Sequence, residues 1–87
     1  MWELRYSKQF LKQAKKIDQN SVRRISDYLD EMILSGNPYS RGKALIGNRQ
    51  GYWRYRVGDY RIIVEVIDAE LVVIAIEVGH RKDIYRQ

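Results

Sequence analysis

The 87-residue chain is 45% apolar and 31% charged, with 16 lysines and arginines against 11 acidic residues and no cysteine. That length supports one modest core, so a single domain over residues 1–87 is expected, and the missing cysteine excludes disulfides and thiolate-ligated metals. No apolar run approaches the ~18–20 residues that span a bilayer, and the opening MWELRYSK lacks a signal peptide's hydrophobic stretch. A cytoplasmic protein with no membrane partner is expected.

In chain order, residues 2–6 alternate Trp2, Leu4 and Tyr6 with Glu3 and Arg5, the pattern of a short half-buried strand. Ser7 is placed to cap a helix whose inward positions are Phe10, Leu11, Ala14 and Ile17. After a break at Asp18-Gln19-Asn20 the stripe restarts with Val22, Ile25, Leu29, Met32 and Ile33, and Gly36 and Pro38 end this second helix. Residues 41–50 are polar and irregular. Strands are expected over roughly 52–57, 60–67 and 70–78, with turns at Gly58-Asp59 and near Asp68-Ala69, and Gly79 closes the last strand before a polar tail. The order β-α-α-β-β-β predicts an α+β domain, a mainly antiparallel sheet with a helical hairpin on one face.

The positive charge is concentrated. Residues 41–61 hold Arg41, Lys43, Arg49, Arg54, Arg56 and Arg61 against Asp59, six less one, which equals the net +5 of the whole chain. Such clustering points to a polyanion or an acidic partner. If Gly58-Asp59 is a two-residue turn, Val57 pairs with Tyr60, Arg56 with Arg61, Tyr55 with Ile62 and Arg54 with Ile63. Trp53, Tyr55, Val57, Tyr60, Ile62 and Val64 then share an apolar face under the helices, and Arg54, Arg56 and Arg61 share the other. Arg56 and Arg61 face each other directly, an arrangement of like charges that is destabilising, and Glu65 on the same face is one acid against three guanidiniums. Three planar guanidiniums suit phosphate; a solvated face with loose ion pairs is the alternative.

The last two strands are apolar on both faces, leaving Ile63, Ile67, Val72, Ile74 and Ile76 after the helix-facing set is filled. Either the tail crosses this second face or an apolar strip there meets a protein partner.

The runs YWRYRVGDYRIIVEV and VGHRKDIY, preceded by two short helices, resemble the RelE-type toxins of bacterial toxin–antitoxin modules, in the RelE/ParE superfamily. The resemblance covers nearly the whole chain. It implies a compact β-α-α-β-β-β fold and an endoribonuclease that enters the ribosomal A site and cuts mRNA by attack of the ribose 2′-hydroxyl on the adjacent phosphate. It also implies a cognate antitoxin and, only through the toxin–antitoxin complex, repression at operator DNA. The catalytic positions it implies are Arg54, Arg61, Arg81 and Tyr85. Arg61 and Arg81 can stabilise charge on a pentacoordinate phosphate, and Tyr85 can stack on a base or, alternatively, cap the tail.

Relatives carry lysines on the second strand where this chain reads Tyr52-Trp53-Arg54, and an arginine is a poor general base. His80 has the intrinsic pKa for acid–base work and adjoins Arg81; a structural histidine is the alternative, and Lys43 and Lys82 are further candidates. Arg56, Lys43, Lys82, Lys12, Lys15 and Lys16 are read as RNA-binding, and Lys8, Arg23 and Arg24 extend the basic helix surface. No metal-ligand spacing, phosphate-cradling glycine loop or nucleophilic triad is present, so neither a metal nor a cofactor is expected. A gyrase-poisoning ParE-like toxin and a non-toxic repressor component are the competing readings.

Overall fold

The computed structural model describes residues 1–80, so the expectations placed on Arg81, Lys82 and Tyr85 lie outside the described residues. Strand β1 (Glu3–Tyr6) leads into helices α1 (Lys8–Ala14) and α2 (Gln19–Leu34), followed by β2 (Lys43–Ala44), β3 (Trp53–Val57), β4 (Tyr60–Ile67) and β5 (Val72–His80). The five strands form one mixed sheet in the order β1-β5-β4-β3-β2, with β1 parallel to β5 and every other pair antiparallel. The α+β class and the helical layer agree with expectation. β2 is an addition: it lies inside the stretch read as irregular and is only two residues long.

Helix α1 begins on the expected cap, Ser7, and α2 begins on Asp18, within the stretch read as a break. The Ser7 side chain accepts from the Phe10 amide and the Asp18 side chain from the Ser21 amide, so each helix has an orphan N–H satisfied at its start. From α2, Ile25, Leu29 and Met32 enter a core with Tyr55, Val57, Ile62, Val64, Val73, Ala75 and Val78, joined by Phe10 from α1. Leu11 departs from the inward set: it is 51% exposed. One residue along a helix turns the side chain by about 100°, and Phe10 and Ala14 already occupy the sheet-facing stripe of this two-turn helix.

The Gly58-Asp59 hairpin has the anticipated register, with Val57 opposite Tyr60 and Arg56 opposite Arg61. Gly58 alone of the two loop residues has a positive φ, +59°, the arrangement of a type II′ turn. The second reversal is longer than expected. Asp68–Glu70 makes a 3₁₀ turn and Leu71 takes a left-handed φ of 55°, so β5 starts at Val72 rather than at residue 70.

The largest departure is in β5. Val64 pairs with Ala75 while Ile63 pairs with Glu77, so Ile76 is an extra residue in the ladder, a β-bulge. Strict alternation from Val73 and Ala75 would drive Glu77 under the helices. The bulge instead sends Val78 into the core and Glu77 to the opposite face. Its edge is sealed by α1. β1 leaves the β5 edge after the Ser7 amide bonds to the Ala75 carbonyl; beyond that point the Ser7 hydroxyl donates to the Ile76 carbonyl (2.7 Å), and the Gln13 side-chain oxygen accepts from the Val78 amide (2.8 Å). Two helix side chains thus replace a neighbouring strand.

The α2–β2 connection is drawn tightly onto β3. The Tyr55 hydroxyl donates to the Pro38 carbonyl (2.6 Å), and Trp53 Nε1 donates to the Arg41 carbonyl (2.7 Å). Gly42, with φ +82°, lies so close that an added Cβ would collide with the Arg54 carbonyl oxygen and the Trp53 indole.

Two stability tests follow from these contacts. Gln13→Leu should destabilise the fold by ~1–3 kcal/mol in urea unfolding by orphaning the Val78 amide, and Gln13→Glu, which keeps an acceptor, should lose much less; equal losses would show that the hydrogen bond is not the cause. Gly42→Ala should lower stability by more than about 1 kcal/mol, read as a fall in Tm, and an unchanged Tm would mean that the connection relaxes at no cost.

Candidate functional site

The sheet has a helix-covered face and a second face, and strand alternation assigns the basic residues to the second. Tyr55, Val57, Ile62 and Val64 point into the helical core, so Arg54, Arg56 and Arg61 point the other way. β2 adds to them, because Lys43 is directly opposite Arg54. One row across this face reads Lys43, Arg54, Ile63, Glu77, and the next reads Arg56, Arg61, Gly79. Four cations from three adjacent strands therefore share a face whose floor is the buried Ile63.

These cations differ in setting. Arg56 is exposed, Arg54 is half-buried, and Arg61 is buried with 4% of its surface accessible. A buried guanidinium does not reorient freely, which suits a group that must present fixed donors to developing negative charge. Gly79, opposite Arg61, contributes no side chain to that row.

Two residues not singled out as site residues from the sequence complete the face. Glu77, 7% exposed, sits next to Ile63 and diagonally from Arg61. It takes a forked pair from Arg49, which lies in the 3₁₀ turn Gly47–Arg49 between β2 and β3: Nη1 to Oε2 at 2.7 Å and Nη2 to Oε1 at 3.3 Å. Gln9 of α1 donates to the same carboxylate at 3.2 Å. The hydrogen bond to Glu77 raises the pKa of Arg49 above the usual arginine value, so this guanidinium stays charged. A sequence signal for Glu77 existed in the lone acid within LVVIAIEV, which unbroken alternation would bury beneath the helices.

His80 is not brought to this face. It pairs with Tyr60 across β4 and packs edge-on against that ring at 5.8 Å, on the helix side. Its neighbour Gly79 is the residue that shares the arginine face. Lys12, Lys15 and Lys16 are likewise apart: they are exposed on α1 and the connection after it, in the helical layer, as are Lys8, Arg23 and Arg24. The apolar residues left over on the second face are not an exposed strip. Ile63 and Val72 are buried, and Ile67, Ile74 and Ile76 are half-buried. Among the described residues no group of three or more His, Asp or Glu side chains is arranged to hold a metal ion, and no helix is long and apolar enough to cross a membrane.

A family model for the ParE toxin of the type II toxin–antitoxin system parDE matches residues 4–85. The chain belongs to this toxin family. Within the wider RelE/ParE superfamily, a chain of the RelB–RelE antitoxin–toxin complex of Methanococcus jannaschii is 30% identical, with 94% of this chain and 95% of that one covered and a TM-score of 0.73. A chain of the Mycobacterium tuberculosis RelBE2 complex superposes with a TM-score of 0.82 at 21% identity, covering 92% of this chain and 98% of that one. The isolated Escherichia coli RelE toxin shares the fold at a TM-score of 0.75 and 22% identity, covering 99% of this chain and 98% of that one. The search among curated proteins gave no match.

In this toxin the basic face carries a measurable conflict. Arg56→Thr removes one member of the opposed Arg56–Arg61 pair and should stabilise the fold by ~0.2–1 kcal/mol at low salt, a gain that shrinks as salt screens the repulsion. A loss of stability instead would mean that Arg56 supports the sheet.

Proposed function

We propose that this protein is a ribosome-dependent endoribonuclease, the toxin of a type II module that cuts mRNA in the ribosomal A site. The observation that carries the reading is the gathering of Lys43, Arg54, Arg56 and Arg61 on one sheet face, away from the helices. In the reaction the 2′-oxygen bonds to the adjacent phosphorus as the bond from phosphorus to the 5′-oxygen breaks, leaving a cyclic phosphate and a 5′-hydroxyl. Negative charge grows on the phosphoryl oxygens, and the buried Arg61 supplies donors held in place before it appears. Arg54 and Arg56 hold the flanking phosphates. Arg81 adds a further guanidinium and Tyr85 an aromatic platform for a base. Of the groups considered as the base, Lys43 shares the face and His80 does not.

The partners in this reading are the ribosome, its mRNA and a cognate antitoxin, with operator DNA reached only as the toxin–antitoxin complex. An antitoxin is supported by the toxin–antitoxin complexes of the M. jannaschii and M. tuberculosis relatives. An apolar cleft lined by Tyr6, Phe10, Leu11, Ala14, Ile17 and Ile25 between α1 and α2, where Leu11 stands exposed, offers it a docking surface on the side away from the arginines. A second reading, poisoning of DNA gyrase without RNA cleavage, is favoured by the ParE description of the matching family.

Primer extension on a defined mRNA, with programmed ribosomes and without them, separates the two. Cleavage within the A-site codon that needs ribosomes is expected, with Arg54→Ala slowing it by at least about tenfold, the loss of one charge-assisted contact. Intact mRNA from a folded, growth-inhibiting preparation would overturn the nuclease reading and direct attention to gyrase supercoiling.

A further inference from the structure

The Arg49–Glu77 pair is oddly placed for a structural ion pair. Its acidic member has 9% of its side chain accessible and its basic member 36%. On this face Glu77 has Ile63 directly across, Ile74 at the next outward position of β5 and Arg61 on the diagonal. Burying a carboxylate costs several kcal/mol before its partner offsets it, and well-packed apolar residues generally serve stability as well or better. The bulge at Ile76 turns this carboxylate out of the core and onto the arginine face, where Gln9 and Arg49 satisfy it.

The consequence for Arg49 is a guanidinium held in place by the fork, with its side chain still reached by solvent. Arg49 belongs to the loop between β2 and β3, yet its fork ends on β5, two strands beyond β3 in the sheet, so the pair ties that loop to β5. A forked pair fixes the plane of the guanidinium as well as its position, which a lysine at the same place could not do.

We propose that Arg49 is a further RNA-phosphate contact of this toxin and that Glu77 is its positioning residue, a buried carboxylate that holds the 45–51 loop across the basic face. The inference rests on the nuclease reading for the identity of the ligand, single-stranded RNA. Arg49 contributes a contact from outside the sheet, so the backbone of the RNA lies between the loop and the strands. Glu77 acts only through Arg49.

The test measures binding of a labelled single-stranded RNA, made uncleavable by 2′-deoxy substitution, to the full-length protein by fluorescence anisotropy over a range of salt. Arg49→Ala should weaken binding about tenfold and reduce the slope of log K against log salt by ~0.7, the loss of one phosphate contact to a single strand. Glu77→Gln decides between positioning and simple charge. It raises the net positive charge, so a merely electrostatic role predicts tighter RNA binding, whereas positioning predicts weaker binding. Arg49→Ala leaves a buried carboxylate unpaired, so Arg49→Ala combined with Glu77→Gln is measured beside it; the pair should bind no worse than Arg49→Ala alone. Tighter binding by Glu77→Gln, or an unchanged salt slope in the folded double variant, would overturn the proposal. A wild-type protein that cuts mRNA on ribosomes while both variants cut at its rate would remove this inference and leave the nuclease reading intact, and a wild-type protein that neither binds nor cuts RNA would remove both.

Discussion

The hydrogen bond from the Ser7 hydroxyl to the Ile76 carbonyl is the hinge of the architecture. Ile76 is the extra residue of the β5 bulge, and everything after it faces the opposite way from where regular alternation would send it. The same Ser7 side chain caps α1, so one residue starts the helix, ends the parallel β1–β5 ladder and secures the bulge. If the bulge were absent, Glu77 would lie in the core, Val78 would be lost from it, and Gly79 and His80 would exchange faces. The composition of the basic face is thus set at the far side of β5, by a serine that belongs to neither site nor sheet.

That face is built against the interests of stability. Arg56 and Arg61 oppose each other, Lys43 opposes Arg54, and the Glu77 carboxylate is already engaged by Arg49. Like charges at directly paired positions cost the sheet free energy, and the opposite face supplies the compensation: Tyr55, Ile62, Val64 and Val73 are fully enclosed beneath α2. The connection through Pro38, Arg41 and Gly42 adds hydrogen bonds to Tyr55 and Trp53, bracing β3 from the helix side as its arginines crowd the other.

Much of this was legible in the sequence because it depends on local chemistry. Ser7 as a cap, the helical stripe from Val22 to Ile33 and the Gly58 turn follow from one residue's geometry or from a short period, and the turn in turn fixes which arginines share a face. What could not be read depends on distant partners. The two-residue β2 has no periodicity to detect and exists because Lys43 and Ala44 meet β3. The bulge is visible only as an acid at an inward position. His80 offered the right chemistry at the wrong parity, since its facing depends on that bulge. Arg49 and Glu77 are 28 residues apart and meet through tertiary structure alone.

The parallel pairing of β1 with β5 has a kinetic side. Ser7 and Ile76 are separated by 69 positions, and β5 otherwise grows on β4 through a local hairpin. Loops of that length close late, because the entropy lost in bringing the ends together is recovered only when the contacts form. The β-meander can therefore assemble first, with its β5 edge open and sticky, and the N-terminal segment docks as the closing step. Since that docking also seals the bulge that orients Glu77 and Gly79, a chain that has not yet made this longest-range contact has its arginines but no organised face.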